Sequence, residues 1–325
     1  MNDKNLRVRR VGIVGHGNLG KAVLQTLKET PDMEAVAILT RRPNEVWGKV
    51  APIPVCLPDP KLAKKIDIDV MILCGGSATD IPEQGPLFAE HFNTVDSYDD
   101  HPEIPHHKSI MNTIASRNGN VSIVSAGWDP GILSLIRKLF TAIFPNGNCN
   151  TFWGPGISQG HSNEARKIEG VLDARSYTMP KQEIIQRVKS GDGINYAAKE
   201  SHKRVVYVVA EEGEIERIKI RKEISAIPHY FEGYETEVNF ITQQEMDEKH
   251  SKLIHAGLVY SSEKTSDGNR LTQEYSCNLE SNPLFTAKIL VACARAACKI
   301  KNPGAYTLDD FPLKSLLLDI INLSW

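Results

Sequence analysis

Gly15-His16-Gly17-Asn18-Leu19-Gly20 is the stretch of this 325-residue chain whose spacing points most directly to chemistry. It fits G-x-G-x-x-G, follows a strand-like run from Val8 to Val14, and opens a helical stretch from Asn18 to about Thr30. A second strand pattern, Glu34 to Thr40, comes next. In that setting a dinucleotide pyrophosphate rests on a helix N-terminus, where free N–H groups and the positive dipole end meet it. Gly15 permits the tight turn, Gly17 lets the phosphates approach the backbone, and Gly20 lets helix and strand pack closely. The end of the second strand selects the cofactor. An NAD site places an Asp or Glu there for the ribose hydroxyls. This chain has Thr40-Arg41-Arg42, two guanidiniums and a hydroxyl suited to a 2′-phosphate, so NADP is expected.

Three further polar segments follow predicted strands: Gly75-Gly76-Ser77-Ala78-Thr79-Asp80, Asp96-Ser97-Tyr98-Asp99-Asp100 and Gly127-Trp128-Asp129-Pro130-Gly131. Ligands of open parallel sheets bind outside the carboxyl ends of the strands. Small residues in the first segment let a cofactor lie close to the backbone. Asp80 suits a helix cap and Asp96 a strand-end turn. Asp99 and Asp129 have less obvious structural work, and two carboxylates at one crevice can hold a substrate ammonium or act as base. His101, His106 and His107 lie in an irregular segment with Pro102 and Pro105, and no metal site is expected from them.

The elements needed to position these groups are legible as strands alternating with helices. Asp69 to Cys74, Asn93 to Asp96 and Val121 to Ser125 repeat the theme, implying a parallel sheet covered on both faces. The second half changes character. Thr151 to Gly154, Arg204 to Ala210, Glu235 to Thr242, Gly257 to Ser262 and Arg270 to Leu279 read as strands, with only Lys181 to Lys189 a clear helix between them. Pro283 to Lys301 reads as a long helix, started by Pro and closed by Pro303-Gly304. The expected fold is α/β: a Rossmann-type doubly wound parallel sheet with a second α+β domain carrying a largely antiparallel sheet. The boundaries expected are 1–149 for dinucleotide binding, with C-terminal helices 283–325 packing back on it, and 150–282 for substrate binding and dimerisation.

Composition narrows the partners. Lys and Arg total 38 against 40 Asp and Glu, a formal charge of -2, a balance unsuited to nonspecific nucleic-acid binding. No apolar run nears the roughly 20 residues of a membrane span. The N-terminal residues are charged, and the short apolar run after them is broken by Gly12 and Gly15, unlike a signal peptide. The six cysteines form no CxxC pair and are expected to be reduced thiols in a cytoplasmic protein. The partner expected is a small molecule, and a twofold homodimer is the expected assembly.

Taken in order, GHGNLGKAV, TRRP, GSATDIPEQ, TVDSYDDH, SAGWDPG, TFWGPGISQGHS, ESHKR and EVNF make the chain resemble the meso-diaminopimelate dehydrogenase family. The resemblance implies an NADP-dependent oxidative deamination at the D-centre of meso-2,6-diaminopimelate, in lysine and diaminopimelate biosynthesis. It implies cofactor contacts from His16 to Leu19, Thr40 to Arg42, Ser77 to Thr79 with Gly76, and Ser97 to Asp99. It places Asp99 and Asp129 near the D-centre, with Trp128, Trp153, Gln159 and Gly160 lining the same pocket. The resemblance also implies that Thr178, Arg204, His255 and Asn282 hold the distal L-centre; His255 is chosen over His250 because it directly precedes Ala256-Gly257. The crevice segments contain no Lys, so the base stays open between Asp99, Asp129 and a held water. The competing readings are an NADPH-dependent imine or aldehyde reductase on the same fold, and a non-catalytic NADP-binding sensor.

Overall fold

The computed structural model describes residues 7–77, 79–211 and 213–318, and the chain divides into two compact units, 1–135 with 283–325, and 136–282. The first unit begins with β1 (Arg9–Val14), α1 (Asn18–Lys28), β2 (Met33–Leu39), α2 (Pro43–Val50), β3 (Val55–Cys56), α3 (Pro60–Ala63) and β4 (Val70–Leu73). It continues with α4 (Ile81–Ala89), β5 (Asn93–Asp96), α5 (Ile104–Asn118), β6 (Val121–Ile123) and α6 (Leu133–Ile143), in which the unit boundary falls. The second unit holds β7 (Asn148–Trp153), β8 (Gly156–Ser158), α7 (Gln159–Arg166), β9 (Val171–Pro180), α8 (Gln182–Ser190), α9 (Ala198–Ser201) and β10 (His202–Ala210). It closes with α10 (Glu214–Ser225), β11 (Glu235–Phe240), α11 (Gln243–Lys249), β12 (His255–Lys264) and β13 (Arg270–Leu279). The chain then returns to the first unit as α12 (Asn282–Ala297) and β14 (Gly304–Tyr306).

The first unit is a seven-stranded parallel sheet in the order β14-β6-β5-β4-β1-β2-β3. Alternate side chains of β1 go to opposite faces. Val11 and Ile13 pack with Val23 and Leu27 of α1 and with Leu290 and Ala294 of α12. Val14 packs on the other face with Leu39, Met71, Leu73 and Phe88. Both faces are covered, so the strands read as nearly unbroken apolar runs. The order reverses between β1 and β4, the place where such sheets open a crevice.

The second unit has a four-stranded sheet, β11-β10-β9-β8, and a three-stranded sheet, β13-β12-β7. Every pair is antiparallel except β10 with β11. Val206 and Val208 of β10 pack on Ala165, Ile220, Ile224 and Phe231.

Three expectations need correction. The unit boundary lies at Leu135/Ile136 rather than at 149, because the chain changes unit inside a helix rather than at the next strand. The segment after α12 is not helical throughout. Gly304–Tyr306 pairs with β6 and adds an edge strand, and residues 319–325 lie outside the described residues. The second unit also holds helices and strands that the sequence pattern hides. In α10 only Ile220 and Ile224 are buried while Ile215 and Ile218 are exposed, which blurs the helical stripe. In β9 the buried positions include Ser176 and Thr178, so apolar alternation is missing.

Candidate functional site

At the crevice, Gly15 turns the chain with φ +97°, a left-handed value that suits glycine. A methyl on Gly20 would lie 2.1 Å from the Gly15 carbonyl oxygen, so helix and turn touch there. A methyl on Gly17 would meet nothing within 4 Å, leaving open space over the helix start. No side chain caps α1, so its first N–H groups are not taken up by a capping oxygen. Leu19 packs into the core, leaving the first turn's backbone to face the cleft. The cleft, about 220 Å³, is lined by Gly15 to Gly17, Thr40 to Arg42, Gly75, Gly76 and Asp80, among others. His16 carries a buried Nε2 without a hydrogen-bond partner, and burial, then Lys21 and Lys49, hold its pKa below the usual value.

Arg41 and Arg42 stand at this cleft with side chains 74% and 68% exposed. Arg41 pairs with Asp80 at 3.2 Å and Arg42 with Glu45 at 3.3 Å. Asp80 also accepts the Gly76 N–H at 2.9 Å, so its work is to hold the glycine turn and Arg41 rather than to cap α4. A helix start with free donors, an open glycine and two exposed guanidiniums fit a phosphorylated dinucleotide. Thr79 Oγ1 lies where a methyl on Gly76 would sit, 2.6 Å from it, and Ala78 lies outside the described residues.

The segments after β4, β5 and β6 are tied together at the same sheet edge. The Ser77 hydroxyl oxygen accepts the Asp99 N–H at 2.9 Å. Asp96 is buried, and its Oδ1 accepts the N–H groups of Tyr98 and Ser125, while Oδ2 lies 2.9 Å from Nε2 of buried His107. The Tyr98 ring lies on His107 at 4.4 Å, and Ser97 is half-buried. His107 is thus part of the scaffold beneath this loop. Asp99 is exposed; Asp129 is half-buried and accepts the Ser134 hydroxyl at 2.9 Å. Trp128 is buried beside it.

In the second unit, Arg204 on β10 is directly opposite Thr178 on β9, and Thr178 is opposite Gly156 on β8. Arg204 is only 7% exposed. It donates a hydrogen bond to the Thr178 hydroxyl, and its guanidinium lies 4.1 Å from the ring centre of Tyr234. Its Nε has no partner, and no described carboxylate pairs with it. Burial lowers its pKa, with Tyr234 opposing. Two neighbouring histidines are kept neutral. His161 is pushed down to about 3 by burial and then by Arg204, against the Tyr230 backbone. His202 is pushed down to about 4 chiefly by burial, with the Ala198 carbonyl opposing and Arg204 and Lys181 adding. His202 Nε2 accepts the Trp153 N–H at 2.8 Å, and the Trp153 ring lies 5.3 Å from the imidazole.

The His255 ring fills the space over Gly156, where a methyl would come within 2.4 Å, so it shares the Arg204–Thr178 neighbourhood. His250 instead stacks on Tyr207 and meets the Tyr177 hydroxyl. The Asn282 N–H is bonded to the Leu253 carbonyl, close in chain to His255. Gln159 and Gly160 are exposed at the start of α7, with Gly160 beside Tyr230. Tyr234, His161 and His202 were not singled out in the sequence, and no spacing marks them.

A parallel sheet in this strand order, with a glycine turn and basic strand end at its switch point, defines an NADP-binding α/β protein of the dehydrogenase type. Residues 127–281 match the family model of the diaminopimelic acid dehydrogenase C-terminal domain. The meso-diaminopimelate D-dehydrogenase of Ureibacillus thermosphaericus is 46% identical over 93% of this chain and 94% of that protein. That of Corynebacterium glutamicum is 43% identical over 91% and 90%. The solved C. glutamicum DAP dehydrogenase in complex with DAP covers 96% of both chains at TM-score 0.87 and 40% identity. An engineered D-amino acid dehydrogenase bound to NADP+ covers 97% of both at TM-score 0.85 and 39% identity. The chain belongs to the meso-diaminopimelate D-dehydrogenase family.

Proposed function

We propose that the protein catalyses the reversible, NADP-dependent oxidative deamination of the D-centre of meso-2,6-diaminopimelate, giving L-2-amino-6-oxopimelate and ammonia, in lysine and diaminopimelate biosynthesis. The observation that carries this reading is Arg204, a buried guanidinium with no described carboxylate partner. A buried charge without a counter-ion is costly, and a substrate carboxylate removes that cost. Thr178 accepts from the guanidinium, and the reading assigns His255 and Asn282 to the L-centre beside them. The reading assigns Trp128, Trp153, Gln159 and Gly160 to the D-centre. NADP, when bound, supplies the acceptor for the hydride that leaves the D-carbon. Gly15 to Gly20, Thr40 to Arg42, Gly76, Ser77, Thr79 and Ser97 to Asp99 would hold it.

Before hydride leaves, the D-centre ammonium gives up a proton. Asp99, Asp129 or a water held by them takes it. Water then adds to the resulting carbon–nitrogen double bond and ammonia departs. The amino acid L-2-amino-6-oxopimelate cyclises to tetrahydrodipicolinate. The reading places the protein in the cytoplasm as a homodimer, supported by six cysteines that form no disulfide and by the commonness of closed twofold assembly. Among the described residues no helix is long and apolar enough to cross a membrane.

The test is NADPH and ammonia formation by purified protein with NADP+ and each diaminopimelate stereoisomer. The meso isomer should give both products and the LL isomer neither. Absence of product from the meso isomer, or equal rates with LL, defeats the reading.

A further inference from the structure

The second unit carries a pocket of about 650 Å³ lined by α10, β11 and α11, within the size range of small-molecule sites. Its wall includes Arg217, Arg221, Lys249, His250, Tyr207 and Phe240. The guanidiniums of Arg217 and Arg221 lie over the same Phe240 ring, 5.3 and 5.0 Å from its centre. They are four residues apart on one helix face, where like charges repel. Neither pairs with a described carboxylate; Arg221 donates only a long bond to the Val238 carbonyl, 3.5 Å.

The acids of the pocket are already engaged. Glu245 accepts from Lys249 and from the Thr242 backbone at the start of α11. Glu237 accepts from Lys203 and Asn239. The charged lining is Arg217, Arg221 and Lys249 against Glu237 and Glu245, which leaves a small positive excess in the pocket. Two adjacent guanidiniums held on one aromatic plate, without a counter-ion, form a fork for oxygen anions.

We propose that this pocket binds a small oxyanion carrying two or more negative charges, of the phosphate-ester or polycarboxylate class, apart from the Arg204 and Arg41–Arg42 sites. A single carboxylate matches one guanidinium only. A dianion satisfies both and removes their repulsion.

The test is calorimetric titration of the full chain, saturated with NADP+, with inorganic pyrophosphate and separately with citrate. Saturable binding is expected, weakened at least ~10-fold in Arg217→Ala/Arg221→Ala. Pyrophosphate alone binding points to the phosphate class, citrate alone to polycarboxylates, and both to charge as the sole requirement. Unchanged affinity in the variant, or no saturable binding of either anion, overturns the proposal. Hydrogen exchange on the unsubstituted protein gives a second reading that needs no variant: added anion should protect 214–225 and 237–250. No protection there overturns it equally.

Discussion

Arg204 and the pair Arg41–Arg42 offer the same group to an anion from opposite environments. Arg41 and Arg42 are more than two-thirds exposed and each already has a carboxylate at about the same distance, 3.2 and 3.3 Å. Arg204 is buried, has no described carboxylate, and is held by a hydroxyl and an aromatic face. Exposed pairs are screened and exchange partners at little cost. A buried guanidinium is poised for one ligand and suffers until it arrives. The surface pair therefore suits grading between two similar cofactors, and the buried one suits a strict choice between substrate ends.

The sharpest way to break this contrast is Arg204→Met. It should cost roughly 2–5 kcal/mol in kcat/KM for meso-diaminopimelate, about 30- to several-thousand-fold. A D-amino acid lacking a distal carboxylate should lose little, because it never used the group. The thermal midpoint of the ligand-free variant should hold or rise, since a buried charge is removed. Equal losses for both substrates would show Arg204 to be a fold residue.

The next effect is on stability against pH. His161 and His202 have folded pKa values pushed down to about 3 and about 4, against 6.5 ordinarily. As pH falls below 6.5 the unfolded chain takes up protons that the folded protein refuses. Stability is therefore full above 6.5 and is lost toward the folded values, by roughly 2 kcal/mol per histidine at pH 5. Thermal unfolding from pH 7 to 5 should show the fall, and Arg204→Met should lessen it, because Arg204 depresses both groups. A pH-flat midpoint would contradict the buried, neutral assignment.

The smallest effect belongs to the exposed pair. NADPH should bind at least ~10-fold tighter than NADH, about 1.4 kcal/mol. Arg41→Ala/Arg42→Ala should narrow that gap, and added salt should narrow it in the unsubstituted protein, as fluorescence titration would report. Salt-independent preference would mean the discrimination lies deeper in the cleft.

The same contrast explains what the sequence could show. The glycine turn and Thr40-Arg41-Arg42 are local, each a few consecutive residues bracketed by strand and helix patterns, and both line one cleft. Arg204 is different. Its setting depends on the β9–β10 register that brings Thr178 opposite, and on a loop that places Tyr234 over it. Composition reveals neither, and only family likeness pointed to Thr178. β9 escaped notice because its inward face is partly Ser and Thr. Asp96 read correctly as a strand-end turn residue, but its partner His107 sits in a segment whose prolines suggested irregular chain.

The tie between Asp32 and Arg295 has a consequence for how the protein is made. Asp32 is fully buried beyond β1, and Arg295 from α12 grips it at 2.6 and 2.9 Å, with Arg9 adding a third contact. Arg295 also bonds the Leu316 carbonyl, and β14 covers the edge of β6. The first unit is thus completed by residues translated long after its glycine turn. Residues 136–282 are one continuous stretch, whereas the earlier segment, until 283–306 are made, has Arg9 but not Arg295 for its interior carboxylate and an open edge at β6. A chain that stops before residue 283 would leave the β6 edge open and Asp32 without Arg295, so it should bind chaperones more than the chain that includes α12 and β14 does.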